Sequence, residues 1–168
     1  EKEYLGGVKP ATVCSYKATI KNHLKPNLGA IKLDALSAHT IQSFYNKLTG
    51  EEFGLSPKTV KNIHGVLHKA MQQAVLNEYI RTNPTNACTL PRAEKKEIKP
   101  LDESQITEFL KAIRGHQFEY LYTVTLFTGM RKAEVMGLTW DRVDLTKGTI
   151  LIDRQLQQVR GGKGEYRL

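Results

Sequence analysis

Apolar residues recur every three or four positions through the first half of this 168-residue chain, which is the spacing of a buried helix face. The first predicted helix starts just after Pro10 and is expected to stop at Pro26. Its apolar positions are Val13, Tyr16, Ile20 and Leu24. A second helix is predicted after Ser37, whose hydroxyl suits a helix cap. Its inner face comprises Ile41, Phe44 and Leu48.

The third predicted helix has the clearest start, with Ser56 as the cap and Pro57 at the first helical position. It is expected to continue to about Tyr79 along one apolar stripe. Three helices of this kind can enclose one small hydrophobic core. Residues 1–90 are therefore predicted to form a helical domain.

Segment 91–100 is charged, nearly free of apolar residues and bracketed by prolines, which predicts a linker between domains. Residues 101–168 then begin with a helix capped by Asp102. A strongly apolar helix over 118–127 is expected to be central to this second core, and a short helix is predicted over 131–138.

The apolar period changes from helical to two near the end of the chain. This change predicts a strand from Thr149 towards Val159, a turn over 161–164 and a second strand from Glu165. Because a two-stranded hairpin alone is marginally stable in water, we expect this second domain to be cut short.

The chain has 25 Lys and Arg against 17 Asp and Glu, a net charge of +8. Residues 1–99 carry 15 and 8 of these, so that a net charge of +7 lies in the helical half. This excess favours a polyanionic partner such as nucleic acid. No segment has the roughly 20 apolar residues that span a bilayer, and the N-terminus lacks a signal-peptide pattern. With Cys14 and Cys88 expected as free thiols, we predict a cytoplasmic protein that does not bind a membrane.

Segment 127–140 reads Phe-Thr-Gly-Met-Arg-Lys-Ala-Glu-Val-Met-Gly-Leu-Thr-Trp. It resembles the first catalytic box of the tyrosine recombinases, which is typically Thr-Gly-x-Arg-x-x-Glu followed by Leu and Trp. Segments 8–13, 28–29, 31–33 and 56–60 are similar, in the same order, to landmarks of that family's core-binding domain. The resemblance covers nearly the whole chain, and integrases of phages and conjugative transposons are the most similar group.

The resemblance implies a mainly α fold. A SAM-like helical core-binding bundle over 1–90 would be followed by the linker 91–100. Residues 101–168 would be the N-terminal part of a truncated α/β catalytic domain, with helices and the start of a small antiparallel sheet. The two domains would form a C-shaped clamp around duplex DNA.

The implied function is sequence-directed duplex DNA binding within a recombinase that cuts and rejoins DNA through a 3′-phosphotyrosyl intermediate. This chemistry uses no metal or other cofactor. The full-length parent, encoded by a bacterium or phage as part of a mobile element, would assemble as a tetramer on paired DNA sites.

Arg131 is predicted to lie in the first turn of a helix, where a cation opposes the helix dipole. Such a local conflict often marks a functional position, because an anion there would meet the guanidinium. Glu134 lies three residues further on and is near enough to orient the guanidinium. The resemblance makes Arg131 the first catalytic arginine, bound to the scissile phosphate, and Glu134 its support. A surface Arg–Glu pair worth about 0–1 kcal/mol is the alternative.

The remaining catalytic groups of the family have no clear match in this chain. The resemblance puts the catalytic lysine on the hairpin after Leu168, and Lys163 in the preceding turn is a weaker candidate. Neither the His-x-x-Arg box nor the nucleophilic tyrosine has a counterpart. We therefore expect this chain to bind DNA without cutting it.

Polar residues on the first and third helices are candidates for DNA contacts, although a solvated helix face is the alternative for each lysine. The candidates are Thr12, Lys17, Lys21, Lys25, Lys58, Lys61, Asn62, His64 and Lys69. His64 and His68 are four residues apart, but they lack the glutamate of a zinc motif, which favours a partly buried polar edge. A non-enzymatic helical DNA-binding regulator with a C-terminal interaction domain is the alternative function.

Overall fold

A computed structural model of the chain describes residues 7–94, 97, 99–158 and 166–167. The chain divides into two compact units, Glu1–Lys96 and Glu97–Leu168, whose boundary lies in the charged segment 91–100. The fold is mainly α, as predicted, with short antiparallel strand pairs in the second unit. The predicted turn over 161–164, with Lys163, and the strand end at Val159 lie outside the described residues.

The first helical segment runs through Pro26, so the prediction that this proline ends it is wrong. Helix α1 (Pro10–Thr19) leads into a π-helical turn, Ile20–Leu24, and then into α2 (Lys25–Leu28). The Lys25 N–H bonds to the Ile20 carbonyl five residues back. The turn widens where the proline ring would otherwise meet a carbonyl of the preceding turn, and the helix therefore continues.

Two serine caps start the next helices, as predicted. Ser37 Oγ accepts the Thr40 N–H at 3.2 Å at the start of α3 (Ala38–Thr49). Ser56 Oγ accepts the Thr59 N–H at 3.2 Å at the start of α4 (Pro57–Leu76). Short 3₁₀ turns at Leu33–Ala35 and Pro84–Ala87 flank these helices.

Helix α4 ends at Leu76, three residues before its predicted end. Glu78 adopts a left-handed φ of 60°, and the Tyr79 N–H reaches back to the Ala74 carbonyl at 2.9 Å. The Glu78 N–H bonds to the Val75 carbonyl at 2.9 Å, which completes a Schellman-type helix end. Glycine normally occupies the left-handed position of such a helix end. Because Glu78 occupies it here, no signal in the sequence marks the end of α4.

The core of the first unit lies between α3, α4 and the segment Pro10–Leu28. Its most deeply buried residues, each at most 1% exposed, include Ile41, Tyr45, Leu48, Val60 and Ile63. Phe44 is also buried, and the predicted inner positions of α3, Ile41, Phe44 and Leu48, are therefore confirmed.

The buried amide of Asn83 ties the Pro84–Ala87 turn to α4. Its amide nitrogen donates to the His68 carbonyl at 3.2 Å, and its oxygen accepts the Thr85 N–H at 3.0 Å. Because these buried polar groups are hydrogen-bonded, the cost of removing them from water is offset, and they fix the position of the turn.

The second unit begins with α5 (Glu103–Ala112), whose predicted cap Asp102 accepts the Gln105 N–H at 2.8 Å. Helices α6 (Glu119–Thr128) and α7 (Lys132–Met136) and a 3₁₀ turn, Trp140–Arg142, follow. Strand β1 (Val143–Asp144) pairs with β2 (Thr149–Ile150). Strand β3 (Gln157–Gln158) pairs with β4 (Tyr166–Arg167). The predicted strand from Thr149 is thus interrupted over 151–156.

Helix α6 does not lie at the centre of a core in the described part of the chain, which contradicts the prediction. None of its residues is buried, and Tyr120 and Phe127 are 83% and 72% exposed. The helix packs on part of its circumference only: Tyr122 meets Phe109 of α5 edge to face at 6.2 Å. Apolar composition predicted burial, but burial requires a second layer that the described residues do not supply.

Candidate functional site

The turn between α6 and α7 directs Arg131 into solvent. Helix α6 ends at Gly129, which adopts a left-handed φ of 66° and has open space around its Cα. The next residue, Met130, is buried at 5% exposure and anchors the turn. Arg131 follows with its side chain 83% exposed. A glycine turn and one buried methionine therefore present the guanidinium at the surface.

Glu134 binds Arg131 with both carboxylate oxygens. Its Oε2 accepts the Arg131 backbone N–H at 2.8 Å, and its Oε1 accepts the guanidinium Nη1 at 2.9 Å. The Arg131 N–H and guanidinium lower the pKa of the Glu134 carboxyl, so that it is ionised at neutral pH. Among the described residues, the other guanidinium nitrogens have no partner. The carboxylate thus orients the guanidinium and leaves donors free for an anion.

Arg131 is the N-cap of α7 rather than a residue of its first turn, one position earlier than predicted. An arginine side chain has no acceptor with which to cap backbone N–H groups. Glu134, in the first turn, instead supplies a negative charge that suits the helix dipole. The conflict with the dipole that motivated the prediction is therefore offset by Glu134.

The segment before β3 packs directly against α7. The Leu156 N–H donates to the Ala133 carbonyl at 2.8 Å, and a Cβ added to Gly137 would lie 2.7 Å from the Leu156 nitrogen. Asp153, at the start of this segment, lies 3.2 Å from Arg142 Nε. Sequence reasoning did not identify these supports, and Gly137 within the catalytic-box motif was the one available signal.

Six lysines on two helical segments are exposed and have no carboxylate within 4.0 Å among the described residues. These six helix lysines are Lys17, Lys21, Lys25, Lys58, Lys61 and Lys69. By contrast, Lys47 pairs with Glu52 at 3.0 Å, and Lys147 pairs with Asp144 at 3.4 Å. Neither Pro10–Leu28 nor α4 contains an aspartate or glutamate. Both segments therefore present uncompensated positive charge.

Lys58 and Lys61 lie near the wrong end of α4 for local stability. The first turn of this helix has no acidic residue and its last turn has no basic one, the reverse of what the helix dipole favours. Because intrachain electrostatics disfavour this arrangement, it suits an external anion.

The three uncharged candidates differ in their accessibility. Asn62 is exposed on α4, Thr12 is half-buried on α1, and His64 is half-buried. The buried Tyr45 hydroxyl and His64 Nδ1 share a hydrogen bond of 2.9 Å. Burial, with a smaller contribution from His68, lowers the pKa of His64, so its ring is neutral at pH 7. His64 therefore contributes structure to the α3–α4 contact but no charge for an anion.

Within the described ranges, no three metal-ligating side chains lie close enough together to hold an ion. His68 instead shares a 3.1 Å hydrogen bond with Asn86. No helix in the part of the chain that the structure describes is long and apolar enough to cross a bilayer.

Comparisons with known proteins match both units. The family model for the N-terminal SAM-like domain of phage integrases matches residues 1–49. A XerC-like tyrosine recombinase of Caldanaerobacter subterraneus subsp. tengcongensis is 29% identical over 158 residues, 90% of this chain and 40% of that protein. An integrase of Saccharopolyspora erythraea is 30% identical over 149 residues, 88% of this chain and 34% of that protein.

A solved structure matches most of the fold. The Tn1549 transposon integrase in complex with circular intermediate DNA has a TM-score of 0.80 and 26% sequence identity. The match covers 93% of this chain and 52% of that one. The chain thus has the fold of the integrase class of proteins and spans well under half the length of the curated relatives above. By sequence and by fold, this chain is a relative of the tyrosine recombinases and integrases.

Proposed function

We propose that this chain holds duplex DNA for a site-specific tyrosine recombinase, with residues 1–90 as the core-binding domain and residues 101–168 as the start of the catalytic domain. The parent recombinase acts in the cytoplasm as a tetramer on paired DNA sites. The chain by itself binds DNA without cutting it. Relatives of similar fold include a transposon integrase whose structure contains DNA, which supports the proposal.

The exposed guanidinium of Arg131 carries the catalytic part of this proposal. Glu134 fixes the direction of this guanidinium, and the remaining N–H groups of the guanidinium can bind two oxygens of one phosphate. A tyrosine hydroxyl of the parent recombinase attacks the scissile phosphorus, and the bond to the 5′ oxygen breaks. The tyrosine hydroxyl loses its proton as the new P–O bond forms, and the departing 5′ oxygen takes up a proton, so that the products are a 3′-phosphotyrosyl bond and a 5′-hydroxyl. Arg131 stabilises the negative charge on the non-bridging oxygens of the transition state.

The six helix lysines carry the binding part. Each unpaired ammonium group that meets a phosphate releases a condensed counterion, a source of affinity that does not depend on sequence. Thr12 and Asn62 on the same segments are available to sugars or base edges.

The test of the catalytic role replaces Arg131 with alanine in the full-length parent. We expect strand cleavage on a nicked attachment-site duplex to fall by about 10²–10³-fold or more, the usual effect of removing one electrostatic stabiliser. Duplex affinity should change by less than about tenfold, because at most one phosphate contact is lost.

The matched control is Lys132→Ala, which removes the neighbouring exposed cation on α7 and leaves the Arg131–Glu134 contacts in place. This control should cleave at nearly the parent rate. An Arg131→Ala enzyme that cleaves as well as the control would refute the assignment.

A further inference from the structure

Gly65 lies in the interior of α4, and none of the described residues gives it a structural reason to be a glycine. The described glycines at 54, 115, 129 and 148 have positive φ angles, and an added Cβ at Gly29, Gly50 or Gly137 would meet backbone atoms within 3.2 Å. Gly65 has an ordinary helical backbone and nothing within 4 Å of an added Cβ. Gly7, outside the helices, is the one other described glycine in this situation. A glycine inside a helix costs about 0.5–1 kcal/mol relative to alanine, so Gly65 weakens α4 without any compensation from the described residues.

Gly65 is at the centre of one polar face. With about 100° per residue, the five exposed polar residues nearest in azimuth lie within about 60° of Gly65. They are Lys58, Lys61, Asn62, Lys69 and Gln72, and together with Gly65 we call them the outer face of α4. The buried residues of α4 lie about 140–180° away, on the opposite side. A Cβ at position 65 would therefore point directly outwards.

The charged and polar side chains of the outer face indicate which kind of partner could approach the helix backbone at Gly65. The side chains of Lys58, Lys61, Asn62 and Lys69 form no hydrogen bond or ion pair with any described residue. Lys61 and Lys69 lie about 6 Å below and above Gly65 along the helix axis. The two ammonium groups thus lie on either side of a position at which no side chain covers the helix backbone. This arrangement fits the sugar–phosphate backbone of a nucleic acid, which is a ridge of alternating phosphates and sugars.

We infer that the sugar–phosphate backbone of a DNA duplex packs on the α4 backbone at Gly65, between the ammonium groups of Lys61 and Lys69. This inference rests on the proposed DNA-binding function and names its point of closest approach. The missing Cβ lets the ridge come near enough for both lysines to reach phosphates of the same strand. A side chain at position 65 holds the ridge away from α4 and lengthens both contacts.

The test compares Gly65→Ala and Gly65→Leu in the 168-residue chain, with fluorescence anisotropy of a labelled duplex and thermal unfolding as readouts. Because alanine favours the helix and meets nothing, Gly65→Ala should raise the Tm by about 2–8 °C. Its duplex affinity should nevertheless fall. Gly65→Leu should lose up to two phosphate contacts, each of which contributes about eightfold to the duplex affinity at 0.1 M salt. Its log–log salt slope should become less negative by up to about 2.

The matched control is Ala70→Leu, which adds a leucine at an exposed position of the same helix about 140° from Gly65. Its affinity should stay within about twofold of the unmodified chain. Weaker DNA binding in a more stable protein excludes misfolding as the cause of the Gly65→Ala effect.

Unchanged affinity of Gly65→Leu, with weaker binding by Lys58→Ala/Lys61→Ala, would overturn the inference and leave the proposed function intact. If duplex binding by the unmodified chain is independent of salt, the proposed function itself fails. A third outcome, in which Gly65→Leu changes the sedimentation coefficient but not the duplex affinity, would assign the outer face to a protein partner and also overturn the inference.

Discussion

The double substitution Lys58→Ala/Lys61→Ala tests whether α4 lies against DNA. Both ammonium groups are exposed, and neither has a carboxylate partner in the described part of the chain. Both also lie near the N-terminal end of the helix, where a cation is disfavoured by the dipole. Their loss should therefore leave the fold intact or slightly more stable, so that any loss of affinity comes from the interface.

The size of the effect follows from counterion release. If all six helix lysines contact phosphates, the log–log slope of affinity against salt is about −5.4, at about −0.9 per contact. Removing two contacts should reduce the slope to about −3.6 and weaken binding about 60-fold at 0.1 M salt.

Fluorescence anisotropy of a labelled duplex measures both the affinity and its salt slope. Five salt concentrations between about 0.05 and 0.2 M cover roughly the range over which such affinities change most. The matched control is Lys47→Ala/Lys147→Ala, which removes the same charge from lysines that already pair with Glu52 and Asp144. Equal slopes for the test and control variants would show that only overall charge matters. The assignment of α4 to the interface would then be wrong.

Two further predictions concern stability. Glu78→Gly should raise the free energy of unfolding by about 1 kcal/mol, because Glu78 holds a left-handed φ of 60° that glycine adopts without strain; a lower urea midpoint would contradict this. Gly137→Ala should destabilise the second unit by about 1–3 kcal/mol, because its Cβ would lie 2.7 Å from the Leu156 nitrogen. Hydrogen exchange should show faster exchange at the Leu156 amide, and an unchanged rate would show that the added Cβ does not disturb this contact.

Local capping chemistry made most helix starts predictable. Ser37, Ser56 and Asp102 each cap the helix that was predicted to follow. A short polar side chain immediately before an apolar periodic segment can accept a free backbone N–H of the first helical turn. The ends were harder. Pro26 suggested a stop that a π turn bypasses, and Glu78 ends α4 in a conformation usually reserved for glycine.

The candidate site was predictable in its residues and not in its geometry. The motif spacing indicated Arg131 and Glu134, but neither the exposed guanidinium nor the use of both Glu134 oxygens on one residue follows from spacing. The contact of Leu156 with α7 joins residues that are distant in sequence, and no local pattern signals it. The assignments of Arg131 and the six helix lysines to DNA stay predictions.

The π turn at Ile20–Leu24 also sets the azimuth of the lysines on this segment. In an uninterrupted α-helix, Lys25 would be rotated about 80° away from Lys17 around the axis. The π turn absorbs one residue and returns Lys25 to within about 20° of Lys17. The π turn therefore keeps Lys17, Lys21 and Lys25 on one side of the segment. A single polyanionic strand that runs along this side can contact all three ammonium groups.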